Sequence, residues 1–319
     1  DYSDGMIIKY SAEGECEWAK GIGGDEYDYI TSVAETSDGG YVAGGDFRSN
    51  SIDLGNGVSL TNKRDSDGMI IKYSAEGECE WAKGIGGSEW DEITSVAETS
   101  DGGILAGGRF GGDVNLENGV GLSSNNGSSD GMLIKYNDKG ECEWAQGIGD
   151  SNNDYINSVA ECSDGGIIAG GYFEPDSIDL GNGVSLTSRG TDDGMIIKYD
   201  KTELPNPITV QAKGIGDSNN DYINAVAECS DGGIIAGGEF EAESIDLENG
   251  ISLTNKGKSD GMIIKYSAEG ECEWAKGIGG DEYDYIRSVA ETSDGGIIAG
   301  GKFQSSSIDL GNGVSITSK

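Results

Sequence analysis

Apolar and polar positions alternate in short bursts along this chain, with turn residues between the bursts. Asp4–Tyr10 holds the apolar run Met6-Ile7-Ile8, which suits a strand buried on both faces. Ala12-Glu13-Gly14 reads as a turn. Glu15–Gly21 predicts a second strand, with Cys16 and Trp18 on one face and Glu17 on the other. A loop at 23–28 leads to a third strand, Ile30–Thr36. Ser37-Asp38-Gly39-Gly40 then gives a tight hairpin into a fourth, Tyr41–Phe47. Gly44-Gly45 in that strand leaves room for close backbone approach. Ile52, Leu54, Val58 and Leu60 alternate around Asn56-Gly57, which predicts a short extra hairpin. No segment shows helical periodicity.

The bursts repeat as a unit. The marker DGMIIKY starts at Asp4, Asp67, Asp130 (with Leu133 for one Ile), Asp193 and Asp260, at spacings of 63, 63, 63 and 67 residues. The stretch Trp18–Gly45 returns from Trp81, Trp144, Gln211 and Trp274. The 319 residues therefore hold five whole units. The end, SITSK at 315–319, would run into the start, Asp1-Tyr2-Ser3-Asp4-Gly5, much as SLTNKRDSDG does at 59–68. The expectation is one domain over 1–319: an all-β, five-bladed β-propeller. Each blade has about four strands plus the short hairpin, and strands from both termini close the ring. The runner-up, an open solenoid or an array of separate β domains, requires atypical polar capping repeats. Here Asp4–Ile30 is identical to Asp260–Ile286, which argues against specialised ends.

These residues resemble a known family. Trp18-Ala19-Lys20-x-Ile22-Gly23-Gly24, then Asp28, Ser32-Val33-Ala34, Asp38-Gly39-Gly40 and Gly44, are similar to the bacterial β-propeller repeat called SBBP. The connector IDLGNGVSLTxxxxxDGMIIKY at 52–73 is similar to that family's passage into its next copy. The resemblance covers all five units, although the family name implies seven blades. It implies a bacterial, extracellular or cell-surface protein, commonly part of a larger multidomain chain, and it brings no catalytic residues. It also sets the phase. The third and fourth strands are the inner pair of one blade, and the next DGMIIKY and CEWAKGI strands are its outer pair. Asp4–Gly21 would then complete the blade begun by Ile286–Phe303.

Composition narrows the partners. The chain has 21 Lys and Arg against 58 Asp and Glu, a formal charge of −37, and no His. Such a surface repels nucleic-acid phosphates and anionic membranes. Its 56 Gly are periodic and interleaved with apolar runs, so they serve turns and packing rather than disorder. No run approaches transmembrane length, so no membrane insertion is expected. The start at Asp1 without Met is expected of a processed piece of a larger protein. The six Cys fill repeat-specific slots unevenly and read as buried hydrophobes with free thiols; one pair, Cys229 with Cys272, could meet in the propeller.

The loop before the third strand carries the candidate ligand site. It offers Asp25, Glu26, Tyr27 and Asp28 in the first unit, and Glu89, Trp90 and Asp91 in the second. The third and fourth offer Asn152, Asn153 and Asp154, and Asn219, Asn220 and Asp221; the fifth offers Asp281, Glu282, Tyr283 and Asp284. Carboxylates beside aromatics suit sugar recognition: a ring stacks on the sugar face while oxygens accept hydroxyl hydrogen bonds. The bland alternative is that Asp28 and its equivalents fix the turn through local backbone N–H groups.

Asp150, Asn152 and Asp154, repeated as Asp217, Asn219 and Asp221, resemble the start of a calcium loop. Tyr155 and Tyr222 stand where an EF-hand needs Gly. Glu161 and Glu228, at its twelfth position, would lie about 20 Å away along a strand at ~3.3 Å per residue. An EF-hand is rejected, and a simpler calcium site on these oxygens is the remaining reading. Glu35, Glu98, Glu161, Glu228 and Glu291 recur on the third strand, either as a ring of carboxylates in the channel or paired locally. Trp18, Trp81, Trp144 and Trp274 read as packing residues. The fourth unit is edited: Thr209-Val210-Gln211 replaces Cys and Trp, after a longer turn.

Catalysis has little support. The chain has no His to act as base, no GxSxG, no Walker loop and no Cys with a partner base. Paired carboxylates suffice for glycoside hydrolysis. An active site is usually unique, however, and these acids recur in most units. The expectation is a non-catalytic module that recognises a glycan or a protein. The alternatives are a structural spacer within a larger surface protein and, last, a carboxylate glycosidase.

Overall fold

The computed structural model describes residues 2–124, 129–174, 177–200 and 208–318. The described chain is all β, with thirty strands and no helix. It divides into two compact units, one up to Ile156 and one from Asn157 onward.

In the first unit, Asp28–Glu35, Tyr41–Phe47, Asp67–Tyr73 and Cys79–Ile85 form a four-stranded antiparallel sheet, hydrogen-bonded in that order. Glu92–Glu98, Ile104–Gly111, Ser129–Tyr136 and Cys142–Ile148 form the next. The second unit holds two sheets of the same order. The first begins with Asp154–Glu161, the strand in which the division falls, and the second runs from Asp221–Glu228 to Cys272–Ile278. Each sheet is the four-stranded meander that the repeat predicts, in the predicted phase. The SIDLGNGVSL segment is the short hairpin expected, Ser51–Gly55 against Val58–Thr61. Asn56 turns it at φ 51°, a left-handed conformation that Asn tolerates.

The chain ends differ from these sheets. Gly5–Tyr10 and Cys16–Ile22 form a two-stranded sheet, in which Met6 is 69% exposed. Asp284–Glu291 and Ile297–Phe303 form another, in which Ile298 is 62% exposed. Their equivalents within four-stranded sheets, Met69 and Val42, are fully buried.

Register follows from the alternation. Tyr41 faces Tyr73 in the first sheet, and Ile104, Ile167 and Ile234 face Tyr136, Tyr199 and Tyr266 at the same place in the others. A bulge between Ile30 and Ser32 throws Thr31 out of the ladder. Its hydroxyl donates to Ile93 O of the next sheet at 2.6 Å, and Thr94 does the same to Ile156 O. In the second unit, Asn157 and Asn224 reach Ile223 O and Ile286 O through their amides. Close approach explains the glycine pair. A Cβ on Gly45 would lie 1.9 Å from Tyr29 O, and one on Gly44 2.7 Å from Ile93 and Val96 side-chain carbons. Sheets can nest face to face only over a backbone without side chains there.

The tryptophans are packing residues, as read. Trp18 donates its indole N–H to Ala75 O at 3.1 Å, and its ring lies over Gly77. Trp81 does the same to Asp138 O over Gly140. Gln211 replaces Trp yet keeps the anchor, donating to Glu269 O at 3.0 Å beside Gly270. All six Cys are free thiols. Cys229 and Cys272 do not pair; they belong to different core clusters. Burial pushes the Cys162 thiol up to about 12, so it stays protonated and unreactive at neutral pH.

Candidate functional site

Asp28 and its equivalents are the most regular acids of the loop, and they are buried. Asp28 accepts from Gly24 N, Arg48 N, Ser49 N and Ser49 Oγ. Asp91 accepts from Gly87 N and Gly111 N, and Asp154 from Asp150 N. Asp221 takes Asp217 N and Glu241 N, and Asp284 takes Gly280 N, Gln304 N and Ser305. Their oxygens stitch the loop to the end of the neighbouring strand, which is the turn-fixing role. They do not face solvent, so they offer a ligand no surface.

Four of these acids, Asp91, Asp154, Asp221 and Asp284, have a buried companion at the start of a DGMIIKY strand, whereas Asp4, at the same place beside Asp28, is exposed. Asp67 and Asp91 both approach Gly86, and Asp193 and Asp221 both approach Gly216. Burial pushes the Asp91 carboxyl up to about 7, and the charge of Asp67 adds to the shift. Asp221 rises to about 7, and Asp260, the companion of Asp284, to about 6, again chiefly through burial.

The other loop residues lie at the surface. Asp25 accepts from the Asn50 amide at 2.9 Å and from Asn50 N, which hold its carboxyl below the usual range. Glu26 anchors the loop through its own N–H on Ser49 Oγ. Tyr27 stacks parallel to Tyr29 at 6.3 Å. Glu89 is exposed beside Gly111. Asp281 is exposed, Glu282 pairs with Lys258 at 2.6 Å, and that ammonium also lies 5.2 Å from the Tyr283 ring.

The oxygens named for a calcium site take part in local hydrogen bonds. Asp150 Oδ1 accepts from Asn152 N, and Asn153 Oδ1 from Ser129 N. Asn219 donates its amide to Glu241 O, and Asn220 gives its carbonyl to Glu241 N. Among the described residues, no group of three or more His, Cys, Asp or Glu could hold a metal ion.

The repeated glutamates have a local partner. Glu98 accepts from Ser37 N at 2.7 Å and Ser37 Oγ at 2.9 Å. Glu228 holds Ser163, and Glu291 holds Ser230, in the same way. These carboxylates clamp the hairpin turn of the preceding sheet.

The structure adds residues that the loop reading missed. In the first unit a cleft of about 290 Å³ opens beside Trp90, which is 45% exposed. The Arg48 guanidinium lies 4.5 Å from the Trp90 ring centroid, and that of Arg109 5.6 Å. Arg109 donates to Glu92 at 3.1 Å and to Tyr155 Oη at 3.1 Å. Asp46 lies beneath, 8% exposed, and accepts from Ser66 Oγ at 2.9 Å. Burial pushes its carboxyl up to about 6, with Glu92 adding and Ser66, Arg48 and Arg109 opposing. Arg48 and Asp46 flank Phe47, at the end of the strand and not in the loop. A signal for them was present. In the frame Ala-Gly-Gly-x-Phe, x is Asp46, Arg109, Tyr172, Glu239 and Lys302: five residue types in five copies, acidic, basic and aromatic.

The second unit builds different surroundings at the same places. Tyr172 meets Tyr222 edge-to-face at 4.6 Å, and Tyr222 Oη donates to Asp192 at 2.7 Å. Arg287 lies 3.8 Å from Glu239 and 5.2 Å from the Tyr285 ring centroid. The copies thus share a scaffold and differ where these side chains gather.

No family model matches the chain. It is 24% identical over 283 residues to the regulatory protein FlaEY of Caulobacter vibrioides, covering 84% of this chain and 29% of that protein. The chain therefore spans less than a third of that relative's length. Among solved structures, one similar protein is of unknown function, from Dyadobacter fermentans: 12% identity, TM-score 0.46, 90% of this chain and 77% of that one. Another is the extracellular domain of a putative hybrid two component system from B. thetaiotaomicron: 13% identity, TM-score 0.42, 85% of this chain and 26% of that one. Among the described residues, no helix is long and apolar enough to cross a membrane.

Proposed function

We propose that this chain is a non-catalytic β-propeller module of a bacterial extracellular or surface protein, and that it recognises a glycan or protein ligand. The observation that carries this reading is where the copies diverge. Near-identical sheets hold their cores constant, yet Asp46, Arg109, Tyr172, Glu239 and Lys302 occupy one strand position, and Tyr27, Trp90 and Asn153 one loop position. Variation in clustered polar and aromatic side chains on a shared scaffold is what ligand selection uses. Repetition of the buried acids in every sheet speaks for structure and not for a single active site. A structural spacer would have no reason to gather Trp90, Arg48 and Arg109 at one cleft.

The test is a glycan array and a calorimetric titration on the folded chain, with Trp90→Ala and Arg109→Ala as comparisons. The reading predicts saturable binding that either substitution weakens at least tenfold. Binding unchanged by both substitutions would move the site elsewhere, and silence across glycans and basic or acidic proteins would leave the spacer reading.

The same proposal includes the five-bladed architecture. The hairpins Gly5–Ile22 and Asp284–Phe303 carry the sequences of the two halves of one four-stranded sheet. Pairing between them would cover the apolar edges at Met6 and Ile298 and leave no strand edge at the seam.

A further inference from the structure

Arg48 is the unusual group of the first-unit cleft. Its Nε is buried and has no hydrogen-bond partner among the described residues, and its guanidinium makes no ion pair there. The other cation, Arg109, is committed to Glu92 and Tyr155. Arg48 as a whole is half-buried, so the unmet demand is that of one buried N–H and not of the whole charge; leaving such a donor unpaired still costs stability, and folded proteins seldom do so. The cost falls when an acceptor arrives. Trp90 holds the guanidinium plane at 4.5 Å, which restricts its rotamers before any ligand binds.

The chemistry of the missing acceptor follows from the surroundings. A flat guanidinium edge pairs best with a planar, two-oxygen anion. Phosphate also offers two oxygens. However, Asp46 and Glu92 line the same cleft, and the chain carries −37 overall, so a dianion meets more repulsion than a monoanion does. That favours a carboxylate over a phosphate monoester, and its planarity over a tetrahedral monoanion. The two cleft carboxylates have a second consequence: each accepts a bond from the protein, Asp46 from Ser66 and Glu92 from Arg109, and has capacity left for a hydroxyl or N–H donor from a ligand. The hydroxyls nearby are already used, since Ser66 donates to Asp46 and Thr31 donates to Ile93 O. A ligand with one carboxylate and several hydroxyls meets both demands, and a single sugar ring suits a cleft of about 290 Å³.

The geometry points to the first-unit cleft as a subsite for a carboxylated sugar residue, its carboxylate on Arg48 and its hydroxyls on Asp46 and Glu92. This rests on the glycan version of the proposed function and narrows it to acidic sugars. The other copies lack Arg48: Gly111, Glu174, Glu241 and Gln304 stand in its place. The chain is thus assigned one such subsite and not five.

Calorimetry on the full chain tests it with three probes: a trisaccharide carrying a single galacturonic acid residue, the methyl ester of that trisaccharide, and triglutamate. The ester keeps every ring hydroxyl and removes only the charge. The expected result is at least about tenfold tighter binding of the acid than of the ester, a gap worth about 1.4 kcal/mol. Arg48→Gln should close the gap to within about twofold, and Arg48→Lys should restore part of it, because charge returns without the planar fork. Equal binding of acid and ester to the unsubstituted chain overturns the inference and leaves glycan recognition standing. So does a gap that survives Arg48→Gln. Triglutamate binding as tightly as the sugar acid, and losing it with Arg48→Gln, overturns the sugar assignment. Failure of both trisaccharides to bind sinks the glycan reading itself. The acid-against-ester comparison needs no variant, so it decides even if Arg48→Gln folds poorly.

Discussion

Glu98 holds Ser37 by two hydrogen bonds, 2.7 Å from the backbone N and 2.9 Å from the hydroxyl. The two residues are 61 positions apart and lie on successive sheets. The bond therefore measures how the repeats are fastened together, not how each one folds. Glu98→Ala leaves Ser37 N able to reach water, since the site is half-open, and the loss should be about 1 kcal/mol. Glu98→Gln, which keeps one acceptor oxygen, should lose less. Urea denaturation gives the two midpoints. A loss identical for both substitutions would mean that charge, and not acceptor geometry, is what matters.

Gly44 and Gly300 are equivalent positions with opposite surroundings. A Cβ on Gly44 would meet Ile93 and Val96 carbons at 2.7 Å, whereas one on Gly300 meets nothing within 4 Å. Gly44→Ala should destabilise by about 2–3 kcal/mol through overpacking. The proposed closed propeller places a further sheet against the Gly300 face, so Gly300→Ala should then cost about as much. Thermal unfolding of the two single variants decides between the alternatives. A neutral or stabilising Gly300→Ala would show that nothing covers this face.

Much of this architecture was legible because its signals are local. Period-two alternation marks the strands, Ser-Asp-Gly-Gly marks the hairpin, and Asn56-Gly57 marks the extra turn. The repeat spacing then fixes which strands neighbour one another. The site was legible only in part. Trp90 is conspicuous in the loop, but its partners come from strand ends 19 and 42 positions away, Arg109 and Arg48, and no local pattern joins them. Asp28 recurs in every copy, and recurrence cannot separate a ligand oxygen from a buried turn-fixing one. Burial separates them. Thr31 gave no sign of its contact with Ile93 O, because the bulge that aims it depends on the pairing partner.

Stability should fall as pH rises above about 4, the direction that self-repulsion in a chain of charge −37 also favours. Asp91 and Asp221 lie at about 7, and Asp46 and Asp260 at about 6, raised chiefly by burial. A carboxyl raised in the folded state binds more protons folded than unfolded, so stability falls as pH rises from about 4 through these values. Asp38 is held down at about 2 by the Thr36 hydroxyl and then by Lys72, so its contribution is lost as pH falls from about 4 toward 2. The melting temperature should therefore peak near pH 4 and decline from there toward pH 7. Asp67→Asn with Asp91 intact removes one charge of a buried pair and should flatten the decline. Differential scanning calorimetry across pH 3–8 reads both; a curve still rising at pH 8 would contradict the buried-pair account.

Gln211 fills the slot of a tryptophan, and the substitution leaves a trace in the packing. Trp18 makes ring contacts with Tyr41 at 5.6 Å and Tyr73 at 6.4 Å and covers Gly77. At the fourth copy the corresponding neighbours are Ile234, Tyr266 and Gly270, and a gap lined by these residues with Ile196 remains beside the Gln211 amide. The backbone hydrogen-bond acceptor, Glu269 O, is in place for an indole N–H. Gln211→Trp should therefore bury an aromatic ring over Gly270, keep the hydrogen bond and stabilise the second unit by about 1–2 kcal/mol. Gln211→Ala, which deletes the bond and fills nothing, should cost about 1 kcal/mol. Hydrogen exchange of the strands Ile208–Ile215 and Asp260–Tyr266 localises the change. Slower exchange there with Gln211→Trp, and unaltered exchange in the first unit, is the expected pattern. Faster exchange would show that this strand is spaced for glutamine and that the tryptophan cannot enter.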